Sequence, residues 1–198
     1  MIRALITKKN RTLLFTSLSR HISKKLHAVV FTIFFTTVSS HAYETLAKEA
    51  GMSQTEMKKI IKKVVKFETT NGSYTKLNRK SGAYGRYQIM PRTAKAYAKK
   101  LHIPYKKWKL PKNQDRIFQA ILKDNIRSLK RNGLEINAFA IYGTHQQGAG
   151  GFNAIMKNKK LTRQLERNLR HNLPKRLSNI SKKKLKHVWV KYWKKKFS

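Results

Sequence analysis

Cysteine is absent from all 198 residues. That excludes a disulfide framework and any cysteine-based zinc site, and it is neutral on cellular compartment. Acidic residues are almost as scarce: 8 Asp and Glu stand against 46 Lys and Arg, a formal net charge of +38. Such an imbalance says nothing about fold, but it predicts attraction to polyanions such as nucleic acid, anionic lipid or a negatively charged wall polymer. Internal repeats are missing, and so is any alternation of strands and helices of the βαβ kind. No basic heptad array, zinc finger or aromatic RNA-binding pattern occurs, so the charge comes without a nucleic-acid motif. What remains is 40% hydrophobic and 10% aromatic, enough for a packed core.

The first 42 residues read as a targeting segment. Arg3, Lys8, Lys9, Arg11, Arg20, Lys24 and Lys25 form a long basic stretch without an acid. Leu26 to Val38 is mostly apolar, with Val29-Val30-Phe31 and Ile33-Phe34-Phe35 at its heart, and Ser40-His41-Ala42 follows. The apolar run has the length of a signal-peptide core and is short for a spanning helix. The expectation is a signal peptide over 1–42, or an N-terminal anchor if it is retained, and one domain over 43–198. That domain keeps 39 Lys and Arg against all 8 acids, a net charge of +31.

Within 43–198 the pattern is mainly helical. A short helix over 43–50 stops at Gly51. Ser53-Gln54-Thr55-Glu56 is a capping box that opens a helix to about Glu68. A polar stretch over 69–80 carries Asn71-Gly72 as a turn signal, and Tyr84 to Ile89 is expected to pair as a small hairpin. Pro91 opens a helix to Leu101. After a connector over 102–112, Asn113 is expected to cap a long helix to Arg131, with Gly133 as its stop. Glu135 to Tyr142 reads as buried, and Gly148 to Gly151 as a break. Two further helices are expected over 161–170 and 181–197, the last with Trp189 and Trp193 on its core side.

Glu68 is the acid that stands apart. Met57, Ile60, Ile61, Val64 and Val65 mark one helical face, and position 68 continues it. A carboxyl group on an apolar stripe is desolvated, so its pKa should rise and its protonated form should persist near neutral pH. That is the state required to protonate a leaving-group oxygen. The next acid downstream, Asp115, falls at an expected helix start, where the helix dipole accounts for it.

Glu68 followed by Gly82-Ala83-x-Gly85-x-x-Gln88-Ile89-Met90-Pro91-x-Thr93-Ala94 resembles the catalytic core of the SLT-domain soluble lytic transglycosylases. Ala140 to Gly151, through Tyr142-Gly143-Thr144-His145-Gln146-Gln147, looks like a variant of that family's downstream Tyr-Asn-x-Gly motif. The likeness covers about residues 55–160. It implies a lysozyme-like helical domain with a small β-hairpin lining the cleft. The implied reaction cleaves peptidoglycan between N-acetylmuramic acid and N-acetylglucosamine and leaves a 1,6-anhydromuramic end, without metal or cofactor. The implied site is Glu68 as catalytic acid, with Gln88, Met90 and Tyr142 in the cleft. Ser81 stands beside, not at, the usual serine position, which is Arg79 here. Gly143 replaces the usual Asn, and His145 and Gln146 are candidates for its polar role. The gap from Glu68 to the glycine motif is longer than usual.

The resemblance also implies an exported or periplasmic protein acting on glycan strands, compatible with service to secretion or flagellar machinery. Membrane contact is expected only if the N-terminal segment is uncleaved, and no nucleic-acid partner is expected. Two other functions share these features: a goose-type lysozyme hydrolase, and a non-catalytic cationic binder of glycan or polyanion. Gln88 also suits a bracing role in the hairpin, Met90 a core position and Tyr142 a buried helix aromatic.

Overall fold

The computed structural model describes residues 42–197. The chain divides after Ala42, and Tyr43–Ser198 forms its own unit. The signal-peptide expectation falls on residues outside those described. Residues 42–50 are helical (α1). There follow α2 (Gln54–Thr69), α3 (Pro91–Lys100), a 3₁₀ turn at Tyr105–Lys107, α4 (Pro111–Arg131), α5 (Ala138–Met156), α6 (Arg163–His171), α7 (Lys175–Ser178) and α8 (Lys182–Phe197). The domain is mainly helical. No described helix is long and apolar enough to cross a membrane.

The capping box works as read: Ser53 Oγ accepts from the Glu56 amide at 3.1 Å. From there Met57, Ile60, Ile61, Val64 and Val65 are buried. The long helix differs from expectation at its start. Pro111 occupies its first turn and Leu110 precedes it, so Asn113 lies inside α4 and sends its side-chain amide to the Lys107 carbonyl at 2.8 Å. Proline needs no amide partner there, which makes the earlier start stable. The stop is as expected: Gly133 takes φ 64°, and the Leu134 amide returns to the Leu129 carbonyl at 3.0 Å.

α4 packs most extensively on α5, and α5 in turn on α8. Along α8, Leu185, Trp189, Trp193 and Phe197 recur every fourth residue and are buried. The two tryptophans are core side chains. Glu135 to Tyr142 is buried only from Phe139 onward. The glycine run breaks the helical path as expected: α5 is two helical stretches joined at a kink at Gly148, where φ is 71° and ψ is 156°.

The hairpin expected over 84–89 does not form strands. Among the described residues, pairing there is limited to isolated antiparallel bridges, Leu77 with Tyr84 and Tyr84 with Ile89. Tyr84 and Ile89 exchange both amide bonds at 3.1 Å, and two residues later the chain meets Pro91 and enters α3. Proline has no amide to extend a ladder. What holds this loop is a side chain from α4. Gln114, fully buried, accepts from the Arg86 amide at 3.1 Å and donates to the Tyr74 and Lys109 carbonyls at 2.9 and 2.6 Å.

Gly85 is what lets Gln114 reach. Its φ is 80°, and a Cβ there would stand 1.8 Å from Gln114 Oε1. Gly85→Ala should therefore cost on the order of 3 kcal/mol, through backbone strain and loss of the Gln114 bonds. That is about 10 °C in Tm for a domain of this size, measured by thermal unfolding. An unchanged Tm would mean that the loop has another packing open to it.

Candidate functional site

Glu68 lies in the last turn of α2, and its side chain is 17% exposed. Burial pushes its carboxyl up to about 7; a hydrogen bond from Tyr142 and the charge of Lys76 pull the other way without cancelling it. Both groups facing it come from the first half of α5. Tyr142 is buried, and His145 Nε2 stands 3.6 Å from Glu68 Oε1, too far for a hydrogen bond.

The direction of the hydrogen bonds behind Glu68 follows from donor inventory. Indole Nε1 can only donate, so Trp189 donates to Gln146 Oε1 at 3.1 Å. That leaves Gln146 Nε2 to donate to the Tyr142 hydroxyl at 3.0 Å. The hydroxyl, already accepting, has its proton free for Glu68. The chain Trp189, Gln146, Tyr142, Glu68 thus aims one donor at the carboxyl from the core. Phe197 stacks on the Tyr142 ring with centroids 4.3 Å apart, and Trp193 approaches it at 4.9 Å. α8 is therefore the back wall of the site.

His145 is held neutral. Burial pushes its pKa down to about 4, against an opposing hydrogen bond to the Tyr87 backbone. That bond is 3.1 Å from Nε2 to the Tyr87 carbonyl. A carbonyl only accepts, so Nε2 carries the proton and Nδ1 the lone pair. The ring also meets the face of Phe118, which stacks on Tyr87 with centroids 3.9 Å apart.

The remaining expected residues separate into two groups. Gln146 is an internal link rather than a cleft residue, since both ends of its amide are occupied inside the protein. Gln88 takes φ 46° and donates to the Lys76 and Gly85 carbonyls at 3.2 and 3.0 Å, so its amide nitrogen braces the loop. Ser81 accepts from the Ala83 amide at 3.2 Å and serves the same loop. Met90 is no core residue: it is 44% exposed ahead of α3. Gly143 has no room for a side chain, because a Cβ would lie 2.3 Å from Phe152 Cε2. Phe152, after the kink of α5, fills the space that an Asn would need.

Asp115 lies beyond the first turn of α4, so side-chain bonds and not the helix dipole account for it. It accepts from the Tyr74 hydroxyl at 2.9 and 3.1 Å and the Tyr87 hydroxyl at 2.8 Å. Burial raises its pKa, while those bonds and Arg86 oppose the rise. The Arg86 guanidinium lies 5.2 Å from the Tyr74 ring centre and 5.9 Å from that of Tyr87. Asp115 thereby ties the loop after Glu68 to α4 and is occupied as a structural acceptor. The role of Gln114 beside it has no sequence signal, since a polar residue next to a proline-led helix start reads as solvated. Among the described residues no group of three or more His, Asp or Glu is arranged to hold a metal ion.

No family model matches the chain, and no curated protein or solved structure matches it.

A carboxyl whose folded pKa lies above its unfolded value stabilises the fold at low pH and loses that stabilisation as pH rises. For Glu68 the window runs from about 4.5 to about 7. In it the unfolded chain releases a proton that the folded chain keeps, at a cost on the order of 3 kcal/mol once complete. Glu68→Gln removes the titration. The Tm of the variant relative to the native protein should climb from pH 4.5 to 7 and then level off. A gap independent of pH would show that Glu68 titrates as an ordinary surface carboxyl.

Proposed function

We propose that the chain is a lytic transglycosylase of lysozyme-like fold that cleaves the bond between N-acetylmuramic acid and N-acetylglucosamine in peptidoglycan, with Glu68 as acid and then base. The observation that carries this reading is the Glu68 carboxyl itself, kept protonated to about pH 7 and faced by a single hydroxyl donor. The motif resemblance at Gly82 to Ala94 supplies the substrate class.

Glu68 gives its proton to the glycosidic oxygen as the bond to C1 of the muramyl sugar breaks. The substrate's own N-acetyl group shields the cation at C1. The carboxylate then takes the proton of the C6 hydroxyl, whose oxygen bonds to C1 and closes the 1,6-anhydro ring. Glu68 ends the cycle protonated, as it began. Tyr142 stabilises the carboxylate that exists between the two proton transfers. Its hydrogen bond favours the charged form, which is the reason it lowers rather than raises the Glu68 pKa.

A two-carboxylate mechanism needs a second acid across the scissile bond. Asp115 is engaged with Tyr74 and Tyr87, Asp124 with Lys100 and Tyr97, and Glu166 with Arg170 and Lys182. Glu49 pairs with Arg127. An internal nucleophile suits Glu68, which has no second carboxyl among the groups that act on it. Export to the cell envelope is part of the same proposal and rests on the sequence of residues 1–42.

Digestion of purified cell wall by the native protein should release fragments with anhydromuramic ends, read by mass spectrometry. Glu68→Gln should lower the rate by at least ~10²-fold. With one titrating acid and His145 neutral, kcat/KM should fall as pH rises through about 7, without a second step between pH 5 and 7. Reducing ends would instead identify a lysozyme-type hydrolase, and an active Gln variant would remove Glu68 from the chemistry.

A further inference from the structure

Beside the loop that follows Glu68 runs a groove of about 340 Å³ that none of the site residues above line. Trp108 is its buried floor. The Tyr84 ring meets Trp108 edge-on with centroids 5.6 Å apart, and Tyr105 lies near-parallel to it at 6.4 Å. Tyr105 is 45% exposed and Leu77, on the opposite strand of the bridge to Tyr84, is 54% exposed. Among the described residues neither tyrosine hydroxyl has a hydrogen-bond partner. Lys106 and Lys109 complete the lining, with Lys109 Nζ 4.7 Å from the centre of the Tyr84 ring.

We propose that this groove is a binding subsite for a carboxylate-bearing saccharide, the N-acetylmuramic acid units of a glycan strand whose lactyl carboxylates carry no peptide. The inference rests on the glycan reading of the Glu68 site and adds a second place where that strand is held. The exposed Tyr105 ring and the half-buried Tyr84 suit the apolar C–H face of a pyranose, and the unpaired hydroxyls at their rims suit its ring substituents. A neutral sugar would need no more. Two ammonium groups and no acid in the lining select a ligand that also carries negative charge, through charge-assisted hydrogen bonds to its carboxylate. Gly82 and Pro91 close the groove, and both belong to the motif segment 82–94 that follows Glu68 in the chain. A strand seated here is therefore held by the same loop that Gln114 fixes from behind.

The protein also has the aromatic and basic elements that hold single-stranded nucleic acid. A glycan is favoured because the groove is lined by the loop that follows Glu68 and because Trp108 is buried and Tyr84 half-buried, which leaves no run of exposed rings for successive bases.

The test measures binding separately from cleavage. Full-length Glu68→Gln protein, in which turnover is stopped, is titrated calorimetrically with a glucosaminyl–muramyl tetrasaccharide bearing free lactyl carboxylates. Chitotetraose serves as the neutral probe and a short oligothymidylate as the nucleic-acid probe. The acidic glycan should bind more tightly than the neutral one. Adding Lys106→Gln and Lys109→Gln together should weaken the acidic glycan about tenfold and leave the neutral one unchanged; adding Tyr105→Ala should weaken both about tenfold. All three side chains are on the surface, and circular dichroism checks the fold.

Acidic-glycan binding that neither change affects would overturn the groove while leaving the lytic reading in place. Groove-dependent glycan binding by a native protein that cuts no cell wall would uphold the groove and overturn the lytic reading. No glycan binding at all would overturn both, and groove-dependent binding of oligothymidylate alone would overturn the saccharide assignment.

Discussion

A carboxyl group held away from water is the constraint on which the site depends. Glu68 continues the face of α2 that Met57, Ile60, Ile61, Val64 and Val65 make apolar, and that position leaves it little solvent. The cost is borne by the packing around it. α4 and α5 bury its neighbours, and α8 closes the back with Trp189, Trp193 and Phe197. The one polar contribution from the core is the Tyr142 hydroxyl. Gln146 and Trp189 orient that hydroxyl so that its proton is free to be donated to the acid. Desolvation and a single donor then oppose each other, and desolvation wins by enough to bring the pKa to about 7.

The loop between α2 and α3 brings the charge of Lys76 to bear on this carboxyl, and it has no ladder to stiffen it. Buried side chains take that role. Gln114 holds three backbone groups of the loop and its surroundings, and Asp115, one residue later, holds two tyrosine hydroxyls. Gly85 gives Gln114 its access. The loop is thus fixed by the first turns of α4, which is why the proline-led start of that helix matters to a site in a different element. The same fixation shapes the aromatic groove, whose Tyr84 is the central residue of the two bridges.

Much of the helical order and the acid itself could be read from residues alone, because both depend on local spacing. The stripe from Met57 to Val65 and the Ser53 capping box are periodic signals within one helix, and Glu68 follows from their extension. The contacts that tune Glu68 were not legible. Gln146 was expected to meet substrate, but its partner Trp189 is 43 residues away in sequence and only the fold brings them together. Asp115 was assigned to a helix dipole because Tyr74 and Tyr87 give no sign in sequence of converging on it. Aromatic flanks around a glycine indicate a hairpin, but the proline two residues after Ile89 limits the pairing to a bridge. At Gly143 the lost Asn is explained only by Phe152, whose approach depends on the kink at Gly148.

The most direct measurement of the central claim is the titration of the Glu68 carboxyl itself. Protein labelled with ¹³C at the glutamate side-chain carboxyl can be followed by NMR from pH 3 to 9, with the Glu68 signal identified by its loss in Glu68→Gln. The account predicts a midpoint near 7. A midpoint near 4.5, the value of a carboxyl in water, would mean that the site does not keep its acid protonated, and the acid-then-base role of Glu68 would have to be abandoned.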